Sequence, residues 1–209
     1  MSAASRTTSA SQSEGIKLLT IGVLAVQGDV AEHLHALARI GVDAREVRTV
    51  AALAEVDALI VPGGESTTVI RLLNRFGLAE PIRERVRGGM PFWGTCMGMI
   101  VAAHDVAGMT QPTLDLLDIT VRRNAFGRQI ASAEIPLEIA TLGAAPFPAV
   151  FIRAPWIERA GPAVDVLASV DGHGVFVRSG NVIGTSFHPE LTGDDRLHRY
   201  FAGMVDPTK

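Results

Sequence analysis

The only cysteine of the chain, Cys96, stands in Phe92-Trp93-Gly94-Thr95-Cys96-Met97-Gly98, with a glycine two positions away on each side. G-x-C-x-G between an aliphatic run and a helical run is the thiol form of the nucleophile elbow. A nucleophile on a strained turn crowds the backbone around it, and glycines at both flanking places relieve that crowding. A helix starting at the cysteine would aim its N-terminal dipole at the sulfur, which favours thiolate. The backbone N–H of Met97 would then point to where an oxyanion forms. A lone cysteine can also be a small buried hydrophobe. The strand-turn-helix context favours the nucleophile.

A nucleophile of this kind needs a base and an orienter. Phe187-His188-Pro189-Glu190 supplies both types at a spacing of two. In an extended segment residues i and i+2 share a face, so Glu190 can reach the His188 ring and fix its tautomer, leaving the other ring nitrogen for the thiol. His33, His35, His104, His173 and His198 lack such partners and read as surface or helix residues. No cluster has metal-ligand spacing, and one cysteine excludes thiolate-rich zinc sites, so no metal is expected.

Pro62-Gly63-Gly64-Glu65-Ser66 follows an aliphatic run. Amides at Gly64 and Glu65, ahead of a helix capped by Ser66, can meet an oxyanion or a carboxylate. The Lys-Ser/Thr of a P-loop is absent. Arg123 and Arg153 lie near ends of predicted strands, and either could hold a substrate carboxylate in a bidentate fork.

The elements that must position these residues alternate. Strands are predicted at Lys17–Val26, Ala44–Val47, Ala58–Val61 and Pro91–Thr95. Helices are predicted at Val30–Ile40 (with Asp29 and Glu32 as a capping box), Ser66–Phe76, Ile82–Arg87 and Met97–Ala103. Such alternation implies right-handed crossovers and a parallel sheet. The second half reads differently. Leu116–Arg122, Gln129–Glu134, Ala149–Ile152, Val164–Val170, Val175–Arg178 and Val182–Ser186 are predicted strands, several joined by hairpin turns, before a terminal helix from Asp194 to about Met204. In such sheets ligands collect at the carboxyl ends of parallel strands, where the cysteine, the histidine and the glycine turn fall.

Bulk properties bound the function. At 209 residues one domain is the default. With 47% hydrophobic but only 5% aromatic residues, the core must be aliphatic, which suits buried parallel strands. A net charge of -3 without a long basic run excludes the footprint of a nucleic-acid binder. No apolar stretch reaches the roughly 18–20 residues of a membrane span. One cysteine fits a reducing compartment. Met1 to Gly15 is Ser/Ala/Thr-rich with no apolar core of a signal peptide, and reads as a disordered tail. A cytoplasmic location is expected.

Taken together, PGGES, GTCMG and FHPE resemble class I glutamine amidotransferases, whose triad is Cys, His and Glu. The resemblance is closer to one family, the PdxT/SNO glutaminase subunits of pyridoxal 5′-phosphate synthase. The matching stretches are Ile21–His33, Leu59–Thr68, Pro91–Ile100, Val121–Gln129, Phe151–Pro155 and Thr185–Leu191. The resemblance implies a three-layer α/β/α, flavodoxin-like fold with a mostly parallel central sheet plus antiparallel strands in the C-terminal half. It implies one glutamine amidotransferase domain over residues 16–209.

It further implies Cys96 as nucleophile, His188 as base and Glu190 as orienter. Gly64, Glu65, Ser66, Arg123, Ile152 and Arg153 become glutamine contacts, the amides of Gly64 and Met97 the oxyanion donors, and Gln27 a residue facing a synthase partner. Two residues depart from the family's habit: Met97 where Ala is usual, and Arg122 where Glu is common. The implied reaction hydrolyses L-glutamine to L-glutamate and ammonia through a thioester, without a cofactor. The ammonia passes to a synthase subunit of the PdxS/SNZ type in a hetero-oligomer. Readings as another thiol hydrolase, or as a non-catalytic regulatory subunit, remain open on the sequence.

Overall fold

The computed structural model describes residues 19–125 and 132–205. The tail expected over Met1–Gly15, and Phe126–Gln129 of the matching stretch Val121–Gln129, lie outside the described residues. Strands β1 (Thr20–Leu24), β2 (Asp43–Val47), β3 (Ala58–Val61) and β4 (Phe92–Thr95) alternate with helices α1 (Val30–Arg39), α2 (Val50–Ala54), α3 (Ser66–Arg75) and α4 (Ala79–Arg87). Helix α5 (Met97–Ala102) follows β4 directly. Next come β5 (Ala103–Val106), β6 (Leu117–Arg122), β7 (Ser132–Leu137), β8 (Phe147–Ile152), β9 (Trp156–Ala160), β10 (Asp165–Val170), β11 (His173–Ser179), β12 (Val182–Thr185) and α6 (Arg196–Ala202).

The main sheet runs β2-β1-β3-β4-β12-β11-β9-β6-β5, with β10 paired to β11, and β7 and β8 form a separate ribbon. From β2 to β12 all neighbours are parallel. Between β12 and β6 each pairing is antiparallel. This is the mixed α/β architecture expected. The late strand β12 pairs with β4 in register, Thr185 opposite Thr95. The ends that lead to Cys96 and to His188 are therefore side by side although about ninety residues separate them.

Both faces are covered because alternate residues of one strand enter different cores. Leu59 and Val61 of β3 join the core with α3, α4 and α5, while Ala58 and Ile60 join the core with α1 and α6. Phe92 and Trp93 divide in the same way. Trp93 is fully buried and donates from Nε1 to Thr185 Oγ1 at 3.2 Å. Truncating a ring so placed costs about 3–5 kcal/mol.

The β10–β11 hairpin turns at Asp171-Gly172, where both φ values are positive, +50° and +79°, as a primed turn requires. Helix α5 stops one residue earlier than predicted because Ala103 starts β5. Helix α2 and strands β5 and β9 were not predicted. Two helix caps differ from expectation. Glu65, not Ser66, occupies the N-cap of α3. Asp29 holds the N-cap position of α1 but makes no capping hydrogen bond; its carboxylate turns to His188 instead.

Candidate active site

The carboxyl ends of β1, β3, β4 and β12, neighbours within the sheet, lead into Gln27, the glycine turn, Cys96 and His188. Cys96 has φ +48° and ψ -106°, a conformation that is costly for a residue with a side chain. Surrounding packing imposes it. A Cβ on Gly94 would strike the Gly98 carbonyl, and one on Gly98 would strike the Val61 carbonyl, so both glycines are required by backbone contact. The Cys96 N–H donates to Thr185 O at 2.7 Å, tying the elbow to β12. The thiol is free and 3% exposed. Met97 is the first residue of α5, so its N–H has no acceptor within the helix.

His188 is fixed through its own N–H, which donates to Val150 O of β8 at 2.8 Å. Its Nδ1 lies 2.7 Å from Glu190 Oε1. The Cys96 thiol shares the cavity wall with the ring. The i+2 reach of Glu190 comes from a 3-10 turn over Pro189–Leu191 rather than from extended chain. Burial works against an imidazolium here, but hydrogen bonds with Asp29, Cys96 and Glu190 outweigh it and push His188 up to about 12. Burial pushes the Glu190 carboxyl up, and the hydrogen bond with His188 pulls the other way. The imidazole thus stands against its carboxylate and on the same cavity wall as the sulfur.

They open into a cavity of about 310 Å³ whose wall includes Gln27, Asp29, Gly64, Glu65, Arg123, Asn124, Ile152 and Arg153. Glu65 N–H donates to Gln27 Oε1 at 2.7 Å, so Gln27 sets the glycine turn from inside the cavity. Gly28 permits this approach, since a Cβ there would strike the Gly63 carbonyl. Arg123 faces Glu65 at 3.4 Å across the mouth. Arg122 instead pairs with Glu158 at 2.7 Å away from the cavity wall, which separates the roles of the two adjacent arginines. Ile152 turns its carbonyl to the sulfur at 4.0 Å, and Arg153 is exposed with φ +45°. Ser66 does not reach the cavity wall: it is fully buried and its hydroxyl donates to Gln111 Oε1 at 3.1 Å.

Four residues here have places that the sequence does not mark. Asp29 lies 3.4 Å from His188 Nδ1, and Asn124 lines the cavity. His33, read as a surface or helix residue, is fully buried with Nε2 3.4 Å from Glu190 Oε2; His198 is buried behind it. Among the described residues, Asp29, His188 and Glu190 are the one group whose donor atoms converge within 4.8 Å as a metal site would need. Those donors are directed at one another, with His188 Nδ1 facing both carboxylates.

Residues 23–206 match the SNO glutamine amidotransferase family. The chain is 53% identical over 194 residues to the pyridoxal 5′-phosphate synthase subunit PdxT of Dehalococcoides mccartyi, which covers 91% of this chain and 100% of that one. It is 55% identical over 187 residues to the PdxT subunit of Streptomyces avermitilis, covering 88% and 93%. A crystal structure of a glutamine amidotransferase superposes with a TM-score of 0.84 at 49% identity, covering 88% of this chain and 98% of that one. The PurLQS structure from Thermotoga maritima shares the fold, with a TM-score of 0.66 at 16% identity over 90% and 99% of the two chains. By the family match along most of its length, and by relatives sharing more than half their residues with it, this chain is a member of the SNO glutamine amidotransferase family.

Proposed function

We infer that this chain is the glutaminase subunit of a pyridoxal 5′-phosphate synthase, hydrolysing L-glutamine to L-glutamate and ammonia. The observation that carries the reading is Cys96 and His188, the latter hydrogen-bonded to Glu190, on the wall of a cavity that also carries charges of both signs. An amino acid carries a carboxylate and an ammonium at one end. Arg123 and Arg153 supply cations for the first, and Glu65 and Asp29 supply anions for the second.

In the reaction His188 accepts the Cys96 proton and the sulfur attacks the side-chain amide. The oxyanion is held by the amides of Gly64 and Met97, contacts worth about 3–4 kcal/mol of barrier each. The His188 imidazolium, held strongly by two carboxylates, protonates the departing nitrogen, and water then resolves the thioester. Gly64, Glu65, Ser66, Arg123, Ile152 and Arg153 serve as the glutamine contacts, Ser66 through its backbone because its hydroxyl faces inward. Residues 16–209 act as one glutamine amidotransferase domain.

The names of the PdxT relatives support a synthase partner, which we take to be of the PdxS/SNZ type and to receive the ammonia directly. Free ammonia is protonated in neutral water, which gives a physical reason to sequester it. Among the described residues no helix is long and apolar enough to cross a membrane; with a single free cysteine, we place the protein in the cytoplasm.

The test is glutamate production from glutamine with and without a PdxS-type synthase subunit. Turnover is expected to rise with the partner: Gln27 ties the glycine turn only through the Glu65 N–H, and docking beside Gln27 would set the remaining amides. Cys96→Ala is expected to abolish turnover while partner binding persists. Equal turnover with and without partner would remove the activation step. Residual activity in Cys96→Ala, or release of product from peptides rather than glutamine, would remove the assignment itself.

A further inference from the structure

Behind the triad, on the side away from the cavity, lie two buried histidines that the reaction above does not use. His33, from the first turns of α1, approaches Glu190 Oε2 with Nε2 at 3.4 Å and Thr95 Oγ1 at 3.3 Å. Its Nδ1 is 3.1 Å from His198 Nε2 of α6. Trp93 packs edge-on against both rings, with centroids 5.8 Å and 5.1 Å away. Glu190 Oε2 has no hydrogen-bond partner among the described residues, the 3.4 Å approach of His33 Nε2 falling short of one, whereas Oε1 is engaged by His188.

With Glu190 ionised, one proton arrangement suits this chain of contacts best. If His33 carried its proton on Nδ1, its bare Nε2 lone pair would face a carboxylate oxygen, and His198 would be left with a buried N–H on Nδ1. His198 Nδ1 has no partner among the described residues, and an orphaned buried N–H is rarer and costlier than an orphaned acceptor. With the proton on Nε2, His33 donates to Thr95 Oγ1 with its N–H also facing Glu190 Oε2, accepts from His198 Nε2–H, and leaves only acceptors, Glu190 Oε2 and His198 Nδ1, unmet.

We propose that His33 is a positioning residue for the reaction: its Nε2–H, held at Thr95, faces the second oxygen of Glu190 at 3.4 Å and steadies electrostatically the carboxylate that orients His188, while His198 fixes the tautomer of His33. The same ring holds Thr95, the residue before Cys96, so one side chain registers both the orienter and the strand end that carries the nucleophile. The proposal rests on the glutaminase reading for its rate effects, but not for its tautomer. The groups that face this network electrostatically are His188 and Asp29 toward Glu190, His198 and His188 toward His33, and Asp195 and Arg39 toward His198.

Three measurements test it. In wild-type protein labelled with 15N-histidine, His33 is expected as the neutral Nε2–H tautomer; the Nδ1–H tautomer would overturn the proposal with no variant needed. With glutamine and the synthase partner, His33→Leu is expected to lower kcat by about tenfold to a hundredfold, by analogy with the loss of hydrogen-bond partners behind metal-ligating histidines. KM should stay within about twofold, as an interaction absent from glutamine binding predicts. Cys96 alkylation by iodoacetamide at neutral pH should slow in parallel.

His33→Gln places an amide N–H near the Nε2 position and is expected to restore most of both rates. Wild-type kcat and alkylation in a folded His33→Leu protein would overturn the proposal, as would equal defects in the Leu and Gln variants. If wild-type protein made no glutamate, the glutaminase reading would fall, while the tautomer and alkylation results would still decide the role of His33.

Discussion

The residues around His188 leave it little room to be anywhere else. A Cβ on Gly63 would lie 2.5 Å from His188 Cε1 and 3.2 Å from Asp29 Oδ2. The second of these is a tight contact; the first cannot exist without moving the ring. Gly63→Ala is therefore expected to displace the imidazole from the sulfur. Overpacking of this kind costs about 1–3 kcal/mol, while a misplacement near 1 Å costs about a hundredfold in rate. The protein should remain folded by circular dichroism yet lose most glutaminase turnover. A folded variant with wild-type turnover would mean that the ring tolerates the shift. The triad was legible in the sequence because each member has a local signature: glycines around Cys96, and a carboxylate two places after His188. His33 and His198 have none. Each sits among the polar and apolar residues of an amphipathic helix, and they meet across 165 positions of chain. Asp29 was legible only as a cap, because nothing in its neighbourhood points to His188.

At the scale of elements, the site depends on loops held by a few backbone contacts. The glycine turn after β3 is set by Gln27, which accepts from Glu65 N–H at 2.7 Å and lies against the position a Gly64 Cβ would occupy. Gln27→Ala removes that acceptor and opens space beside a residue with φ +151°. The turn is then free to rotate its amides away from the cavity. Since losing one oxyanion donor outright costs about 10²–10³ in kcat, partial loss of its orientation is expected to cost about tenfold or more. Size-exclusion analysis with the synthase subunit, run beside the kinetics, separates this from lost docking: unchanged kcat in the assembled complex would refute the role given to Gln27. The strands that carry these loops were legible from short aliphatic runs, and the β10–β11 turn from Asp-Gly. Helix α2 has only five residues, and its one signal was Thr49, whose Oγ1 accepts from Ala52 N–H at 3.1 Å. Strand β9 runs Trp-Ile-Glu-Arg-Ala, with a single buried residue and no alternation to mark it. Strand β5 has two exposed residues between buried ends and follows α5 without a turn.

Across the whole molecule, the cluster of histidines beneath the site ties its stability to acid. Burial, with smaller electrostatic contributions, holds His33 well below the usual histidine range and His198 down to about 4. The unfolded chain takes up protons on both near 6.5, so folding stability from these rings is complete above that pH and is lost as pH falls toward 4. For His198 the gap corresponds to roughly 3 kcal/mol, at about 1.4 kcal/mol per pH unit. Two neighbours run the other way. His188, pushed up to about 12, contributes stability that is present below 6.5 and lost only on the alkaline side. Glu190, pushed up by burial, favours the folded state as pH falls. A fall in stability between pH 7.5 and 5 therefore belongs to the rear pair. The urea midpoint of wild-type protein is expected to drop over that interval by up to about 1 M. His198→Phe keeps a ring against Trp93 but takes up no proton. It should show a flatter dependence whatever its stability at pH 7.5. A wild-type midpoint independent of pH, or an equal slope in the variant, would show that these histidines do not carry the acid sensitivity.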